Sequence, residues 1–293
     1  MNAEIQNCID AWALLYASIA KTLNQEFGAE GRSVLRKTIR GYASERGENR
    51  KAELCAENLS LNLKNLAIAG NDFPTDDHRT EIEKIKTAPQ EFFANVAHCP
   101  LARVWEDTEI SELGSIYCEE FYHAYLKSAL FHKVQVNVTQ MLTHERDEFC
   151  RFSFYLRPAN LNETQRKACF EMNDAAEDAI IPKSLKKLIK SQWALFYTHC
   201  YTNMYSQFGD KGLLALKTAL ASLADQFSDY ITRLRRENKA FISSQLPDAD
   251  GFLVGVIPLY HENLDITAWG NNASTDSIAF YLSAFEHRLP GQL

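Results

Sequence analysis

The amino-acid sequence predicts an α+β fold built from two unequal copies of one unit, a helix hairpin followed by an antiparallel sheet. Three observations support this prediction: a helical segment that recurs at a constant distance, strand-like alternation after each pair of helices, and a helical insertion in the first copy. The expected boundaries are residues 1–157 for the first copy, 158–182 for a connector and 183–293 for the degenerate second copy.

The repeat is carried by two pairs of short segments. Residues 12–16 (WALLY) correspond to residues 193–197 (WALFY), and residues 27–31 (FGAEG) correspond to residues 208–212 (FGDKG), so both pairs are 181 positions apart. In each copy, apolar residues at helical spacing lead to a glycine that can adopt a left-handed C-cap conformation, and a second helix follows. We expect this second helix to continue toward Leu66 in the first copy and to run from about Leu213 toward Phe241 in the second.

Alternation of Val, Phe and Tyr at a period of two predicts three strands in each copy. They are Phe92–Val96, Val134–Met141 and Phe149–Leu156 in the first copy, and Phe252–Ile257, Leu264–Trp269 and Ile278–Leu282 in the second. The second copy lacks about 32 residues between its first two strands. The corresponding insertion in the first copy is predicted to be helical at 101–105 and 113–129, and the connector is expected to contain some helix.

Composition excludes several classes of protein. With 46% hydrophobic residues in 293 positions, the chain can bury a sizeable core, and its net charge of −7 predicts no general attraction to nucleic acid or to membranes. No apolar run approaches the ~20 residues of a membrane span. The N-terminus lacks the basic region of a secretory signal. Seven scattered cysteines suit reduced thiols in the cytoplasm. Phosphate-loop, dinucleotide-binding and Ser-His-Asp hydrolase motifs are absent from the sequence.

The segment from Cys99 to Leu156 contains several motifs in a fixed order. These are Cys99-Pro100, Gly114, Tyr117-Cys118-Glu119 and a strand that reads CRFSF from Cys150. Together with the preceding EFGAEG and GYASERGENR segments, they resemble the L-2-amino-thiazoline-4-carboxylic acid hydrolase family over about the first 155 residues. The turn at 144–147 (HERD) departs from the Gly-Asp-like turn of the family.

The resemblance implies hydrolysis of a cyclic isothiourea-like carbon, which opens a thiazoline ring to an N-carbamoyl cysteine. The leading hypothesis is therefore a cofactor-free enzyme that acts on a small cyclic amidine or thiazoline by cleaving a C–N or C–S bond. A biosynthetic relative with altered chemistry, such as a cyclisation, is the variant of this hypothesis. A homodimer is compatible with the sequence.

Such a reaction requires a nucleophile, an acid and a group that holds the substrate carboxylate. The candidate catalytic residues are Cys118, Glu119 and Cys99. As a nucleophile, Cys118 would need a lowered pKa, which the adjacent carboxylates oppose. Pro100 can occupy the first position of a helix whose free N–H groups suit a carboxylate. The candidates for substrate binding are His98, Arg103, His132, Cys150 and Arg151.

Two other interpretations stay open. The spacing i, i+3, i+4, i+7 predicts that one helix face is buried, and an inert core cysteine would then belong to it. The members of that face are Cys118, Phe121, Tyr122 and Tyr125. Alternatively, three cysteines and two histidines of the region could bind zinc, although neither CxxC nor HExxH spacing occurs, so no metal is assigned. They are Cys99, Cys118, Cys150, His98 and His132. Zinc would favour a non-catalytic, small-molecule-binding sensor domain.

Overall fold

The computed structural model describes residues 3–69, 79–173, 185–220 and 222–223. Their helices are α1 (Ala3–Ala56), α2 (Leu63–Ala69), α3 (Pro100–Asp107), α4 (Ser111–Ala129), α5 (Glu163–Phe170), α6 (Leu185–Phe208) and α7 (210–220). The strands are β1 (Glu81–Ala88), β2 (Glu91–His98), β3 (Val134–Gln140) and β4 (Cys150–Leu156), and Pro158–Asn160 is a short 3-10 helix. This mixture of helices with one antiparallel sheet confirms the α+β class.

The chain divides into two compact units. Met1–Thr38 and Lys186–Leu293 form the first unit, and Ile39–Leu185 form the second. In the part of the chain that the structure describes, no helix is both long enough and apolar enough to cross a membrane.

In the first unit, α1 is interrupted at Gly28, where φ is 54° and ψ is −126°. Gly209, which ends α6, also has a positive φ of 59°. Both glycines therefore lie where the sequence predicts a break, in a backbone region that glycine enters with little steric cost. The ψ of Gly28 nevertheless differs from the left-handed value of about +47°. The expected left-handed C-cap is thus wrong in detail at Gly28, because the chain turns directly into the next helical segment.

An aromatic cluster joins α1 and α6 within the first unit. The ring of Phe196 lies 5.6 Å from that of Trp12 and 6.0 Å from that of Tyr16, measured between centroids. All three residues are fully buried. Trp12 and Tyr16 of the WALLY segment and Phe196 of the WALFY segment therefore form part of the core of this unit.

The last part of α1 belongs to the second unit and ends at Ala56, so it does not continue toward Leu66 as predicted. Asn58 has a positive φ of 55°, which interrupts the helix. The Asn62 side chain then accepts a hydrogen bond from the backbone N–H of Asn65 (2.9 Å) and starts α2 as a separate helix. Asparagine side chains that compete for backbone hydrogen bonds are thus the physical reason for the difference.

The sheet of the second unit is antiparallel, in the order β1-β2-β4-β3. The three strands predicted for the first copy coincide with β2, β3 and β4, with small differences at their ends. β1 was not predicted. Its sequence, EIEKIKTA, is largely exposed and charged, which is common for an edge strand but hides the alternation that identifies a buried one.

One face of the sheet is covered by α4. Alternate residues of β4, from Cys150 to Leu156, are buried, whereas Arg151 on the opposite face is exposed. The Tyr122 ring of α4 lies 4.7 Å from Phe152 and 6.0 Å from Phe154. The two helices predicted for the insertion are confirmed as α3 and α4, and α4 packs Tyr122 on the buried face of the sheet.

The connector begins with helix, as predicted, since α5 starts at a capping box formed by Asn162 and Gln165. The strands expected in the second copy, Phe252–Ile257, Leu264–Trp269 and Ile278–Leu282, lie outside the described residues, and α7 is described only as far as 223. The duplication and the boundaries at 157 and 183 therefore stay predictions.

A close contact between α1 and α4 makes Gly47 sensitive to substitution. A Cβ atom at Gly47 would lie 2.3 Å from the carbonyl oxygen of Tyr125, 3.0 Å from Ser128 Cβ and 3.1 Å from Ala129 N. Gly47→Ala is therefore expected to lower the free energy of unfolding by about 1–3 kcal/mol, although alanine is the better helix former. Chemical denaturation would measure this, with the exposed Asn49→Ala as control. A Gly47→Ala protein as stable as the wild type would contradict the close packing.

Candidate functional site

Three cysteines from separate segments meet at one end of the sheet, and we call Cys99, Cys118 and Cys150 the thiol cluster. Cys99 follows β2 directly and is the N-cap residue of α3, Cys118 lies in the middle of α4, and Cys150 begins β4. Val96 is opposite Cys150 in the antiparallel pair, so the end of β2 and the start of β4 lie at the same end of the sheet. The thiols are close enough that Cys150 and Cys99 both raise the pKa of Cys118.

Burial controls the ionisation of the cluster. It raises the pKa of the Cys118 thiol well above its ordinary value, and the neighbouring Cys150, Cys99 and Glu119 raise it further. Burial also raises the pKa of Cys150 to about 12, although the backbone N–H of Leu142 donates a hydrogen bond to its sulfur at 3.2 Å. Both thiols are therefore protonated at neutral pH. The lowered pKa that a nucleophilic Cys118 would need is not present in this structure, because burial and the neighbouring thiols and carboxylate all raise it.

The segment from Met141 to Phe149 is fixed beside the cluster. The Asp147 carboxylate accepts a hydrogen bond from the backbone N–H of Met141 (2.9 Å) and lies 3.3 Å from Nδ1 of His144. Ser115 lies three positions before Cys118 on α4, and its hydroxyl donates a hydrogen bond to the Thr143 hydroxyl (2.8 Å). The HERD turn thus uses its aspartate to hold the segment that also supplies the hydrogen bond to Cys150.

Gly114 allows α3 and α4 to pack closely ahead of Cys118. A Cβ atom at this position would lie 2.5 Å from Cε3 of Trp105, a ring that is almost completely buried. Tyr117 packs edge-on against the same indole, with 5.5 Å between the ring centroids. A glycine at 114 is therefore required by packing, and this packing sets the position of Cys118 one turn later.

A buried arginine, Arg46, packs against α4 and was not among the residues predicted from the sequence. The Arg46 guanidinium lies over the rings of Phe121 (4.9 Å), Tyr42 (5.3 Å) and Tyr125 (5.9 Å) and donates to the Tyr42 hydroxyl at 3.0 Å. Arg46 is only 2% exposed. Arg46 lies in the charged stretch GYASERGENR. The available signal was its spacing, since Arg46 follows Tyr42 by one helical turn on the buried stripe of α1.

Glu120, the other carboxylate next to Glu119 on α4, pairs with an arginine of α1. Its carboxylate accepts hydrogen bonds from Nε (2.5 Å) and Nη2 (2.9 Å) of Arg40, which links α4 to α1. The Glu120 side chain is 11% exposed and that of Arg40 is 60% exposed. The geometry is that of a two-point arginine–carboxylate pair, which fixes the orientation of α4.

Glu119 and His123 lie one turn apart on α4, and both are half-buried. Burial lowers the pKa of His123, the Lys127 charge lowers it further, and Glu120 raises it. The imidazole is therefore neutral at pH 7. Glu119 is the carboxylate of α4 that contributes to the raised pKa of Cys118.

Two of the predicted substrate-binding residues pair with neighbours at the surface. Nε2 of His98, at the end of β2, lies 3.3 Å from the Glu81 carboxylate, and both side chains are largely exposed. Arg103, also largely exposed, lies 3.1 Å from Glu106 and 3.2 Å from Asp107 on its own helix. Both residues thus have carboxylate neighbours at the surface, and their binding roles stay predictions.

The other two basic candidates also lie at the surface. His132 is exposed in the turn after α4, with a positive φ of 59°. The Arg151 guanidinium lies 5.0 Å from the Phe149 ring, and its position in β4 places it on the face opposite Cys150. Among the predicted site residues, the structure therefore brings together Cys99, Cys118, Cys150 and Glu119.

Thiol reactivity should follow the raised pKa of Cys118. Because the thiolate is the reactive form, we expect alkylation of Cys118 by iodoacetamide to accelerate about tenfold per pH unit between pH 7 and pH 9. Mass spectrometry of quenched samples would measure this rate, with the exposed Cys55 as the internal reference. A rate that does not change over this range would mean that Cys118 is already ionised at pH 7.

Within the described ranges, no group of three or more His, Cys, Asp or Glu side chains is arranged to hold a metal ion, so nothing there supports the zinc interpretation.

One comparison with known proteins gives a match. No curated protein and no solved structure matches the chain. The family model described as L-2-amino-thiazoline-4-carboxylic acid hydrolase matches residues 7–154, which is half of the 293 positions and includes the whole thiol cluster. The chain therefore belongs to the L-2-amino-thiazoline-4-carboxylic acid hydrolase family.

Proposed function

We propose that the protein hydrolyses a small cyclic amidine or thiazoline carboxylate at the thiol cluster. The family name implies a hydrolase of aminothiazoline carboxylate. The observation that supports a site here is the convergence of Cys99, Cys118 and Cys150, from three separate elements of the matched region, beside Glu119. Water is the only co-reactant that the proposal needs, and it invokes no cofactor.

The reaction is balanced as follows. The ring carbon between nitrogen and sulfur receives the oxygen of water, and its bond to sulfur breaks. One proton of water ends on the ring nitrogen and the other on the departing sulfur, which gives an N-carbamoyl cysteine with a free thiol. The difficult events are the addition to an amidine-like carbon and the protonation of sulfur, so a nucleophile and a proton carrier are needed side by side.

Cys118 and Glu119 can supply both functions. Glu119 removes the proton from the Cys118 thiol as its sulfur adds to the ring carbon, and it passes this proton to the departing ring sulfur. Water then attacks the same carbon, the bond to Cys118 breaks, and the thiol regains its proton. Because burial raises the pKa of Cys118, the thiol rests in its neutral form and requires this base during the reaction.

The first turn of α3 is the proposed contact for the substrate carboxylate. Cys99 has an extended backbone, and Pro100 follows it at the first helical position. The backbone N–H groups of Leu101 and Ala102 therefore have no acceptor within the helix and carry the positive end of its dipole. Cys99 would then lie between the carboxylate and the reacting carbon, which agrees with its place in the cluster.

The direct test is incubation of the purified protein, in substoichiometric amount, with L-2-amino-thiazoline-4-carboxylate. We expect release of free thiol in proportion to enzyme, with N-carbamoyl cysteine identified by mass spectrometry. Glu119→Gln should lower the rate about 100-fold. Glu112→Gln, in the exposed first turn of the same helix, should leave it unchanged. If the wild type releases no thiol, the proposed substrate is wrong, and if Glu119→Gln matches the wild type, the proposed base is wrong.

A further inference from the structure

The first unit contains two helix hairpins, one formed by the parts of α1 on either side of Gly28 and the other by α6 and α7. Each hairpin breaks at a glycine and packs in the same way, at positions 181 residues apart. Gly28 and Gly209 both have a positive φ. A Cβ atom at Gly31 would lie 2.0 Å from the carbonyl oxygen of Leu23, and one at Gly212 would lie 2.3 Å from that of Met204. Each of these glycines follows the residue it contacts by eight positions. The two hairpins thus share the same internal geometry as well as similar sequences.

The two hairpins also meet through equivalent residues. Phe27 stacks on Phe208, its own counterpart, with 3.7 Å between ring centroids and 4° between ring planes. In a twofold arrangement, a residue at the axis contacts its own symmetry mate. The counterparts Leu23 and Met204 are both buried. The pairing therefore has the form of an isologous interface within one chain.

We infer that the two hairpins form a pseudo-dimer, in which the second hairpin occupies a surface of the first hairpin that fits a copy of itself. The family match, residues 7–154, contains only the first hairpin, so the partner hairpin lies outside the matched region. The kind of partner that this surface accepts is a second copy of the same segment, and here the chain provides it in cis. This surface is consequently closed to association between two molecules of this protein.

The WALLY and WALFY segments allow a stability test, because they differ only at Leu15 and Phe196. Both positions are buried, so Leu15→Phe overpacks one site and Phe196→Leu underfills the other. Each single change should lower the Tm by about 3 °C or more. The double variant L15F/F196L exchanges the WALLY and WALFY sequences between the two hairpins and should recover at least about half of the summed loss.

The matched control for this exchange is L35F/F196L. Leu35 is as buried as Leu15, but its counterpart is Leu216 and not Phe196. The two losses should therefore add in the control. If the two losses in Tm add in L15F/F196L as they do in the control, the pseudo-dimer is wrong.

Cross-linking gives a second and independent test with the full chain. In F27C/F208C, a short bis-maleimide should link residues 27 and 208 within one chain, as peptide mapping of the monomer band would show. In F27C alone, no link between two copies of residue 27 should form. A covalent dimer joined through residue 27, or a double variant with no link between 27 and 208, would overturn the inference.

Discussion

Cys118→Ala is expected to lower the rate of thiol release from L-2-amino-thiazoline-4-carboxylate by about 100-fold or more, without unfolding the protein. Cys118 is the only cysteine of the cluster that lies beside Glu119 in the chain, and both other thiols act on its pKa. Loss of the sulfur removes the group that is proposed to add to the ring carbon. A colorimetric thiol assay at saturating and at limiting substrate would separate kcat from KM.

Two further cysteine variants make this prediction specific. Cys55→Ala changes an exposed cysteine on α1 and should keep the wild-type rate. Cys118→Ser keeps a side chain of similar size and should be as inactive as Cys118→Ala if the thiol itself reacts. Equal rates for Cys118→Ala and the wild type, with unchanged thermal unfolding, would assign Cys118 to the core and remove it from the mechanism.

Arg46→Ala is expected to lower the free energy of unfolding by about 3 kcal/mol or more. The substitution removes a side chain that fills the interior between α1 and α4 and that contacts the rings of Tyr42, Phe121 and Tyr125. It also leaves the buried Tyr42 hydroxyl without the hydrogen bond from Nη1. Urea denaturation followed by circular dichroism would measure the loss.

Two controls separate the effect of burial from the effect of charge. Arg103→Ala removes an exposed arginine and should change stability by less than about 0.5 kcal/mol. Arg46→Lys keeps the charge but not the planar group that lies over the rings, so it should fall between Arg46→Ala and the wild type. If Arg46→Ala were no more destabilising than Arg103→Ala, the buried aromatic environment of Arg46 would be contradicted.

Local patterns were sufficient to predict most of the second unit. The alternation in CRFSFYL follows from burial of one face of β4, and such burial produces a periodic pattern in the sequence. The sequence of β1 has no such periodic pattern, because this edge strand is exposed over most of its length. α1 ends at Ala56 because Asn58 has a positive φ and Asn62 caps α2. The Asn62 and Asn65 side chains also donate hydrogen bonds to carbonyls more than 100 positions away, and no local pattern contains those partners.

The candidate site could likewise be predicted only in part from the sequence. The order of Cys99, Cys118 and Cys150 in the sequence pointed to a common site, and the pairing of Val96 with Cys150 places the end of β2, which Cys99 follows, at the same end of the sheet as the start of β4. The direction of the Cys118 pKa depends on burial in three dimensions, so the requirement for a lowered pKa could not be checked from sequence. Arg46 was overlooked because a charged residue on a buried helix face contradicts the usual pattern, and only its aromatic neighbours explain it.

The central claim is that the substrate binds at the thiol cluster, and protection from alkylation tests it most directly. The protein would be treated with iodoacetamide at pH 9, with and without L-2-amino-thiazoline-4-carboxylate, and each cysteine would be quantified by mass spectrometry. Substrate should slow the labelling of Cys118 and Cys99 at least about tenfold and leave Cys55 unaffected. Identical labelling of Cys118 with and without the substrate, under conditions where the protein turns it over, would place the site elsewhere.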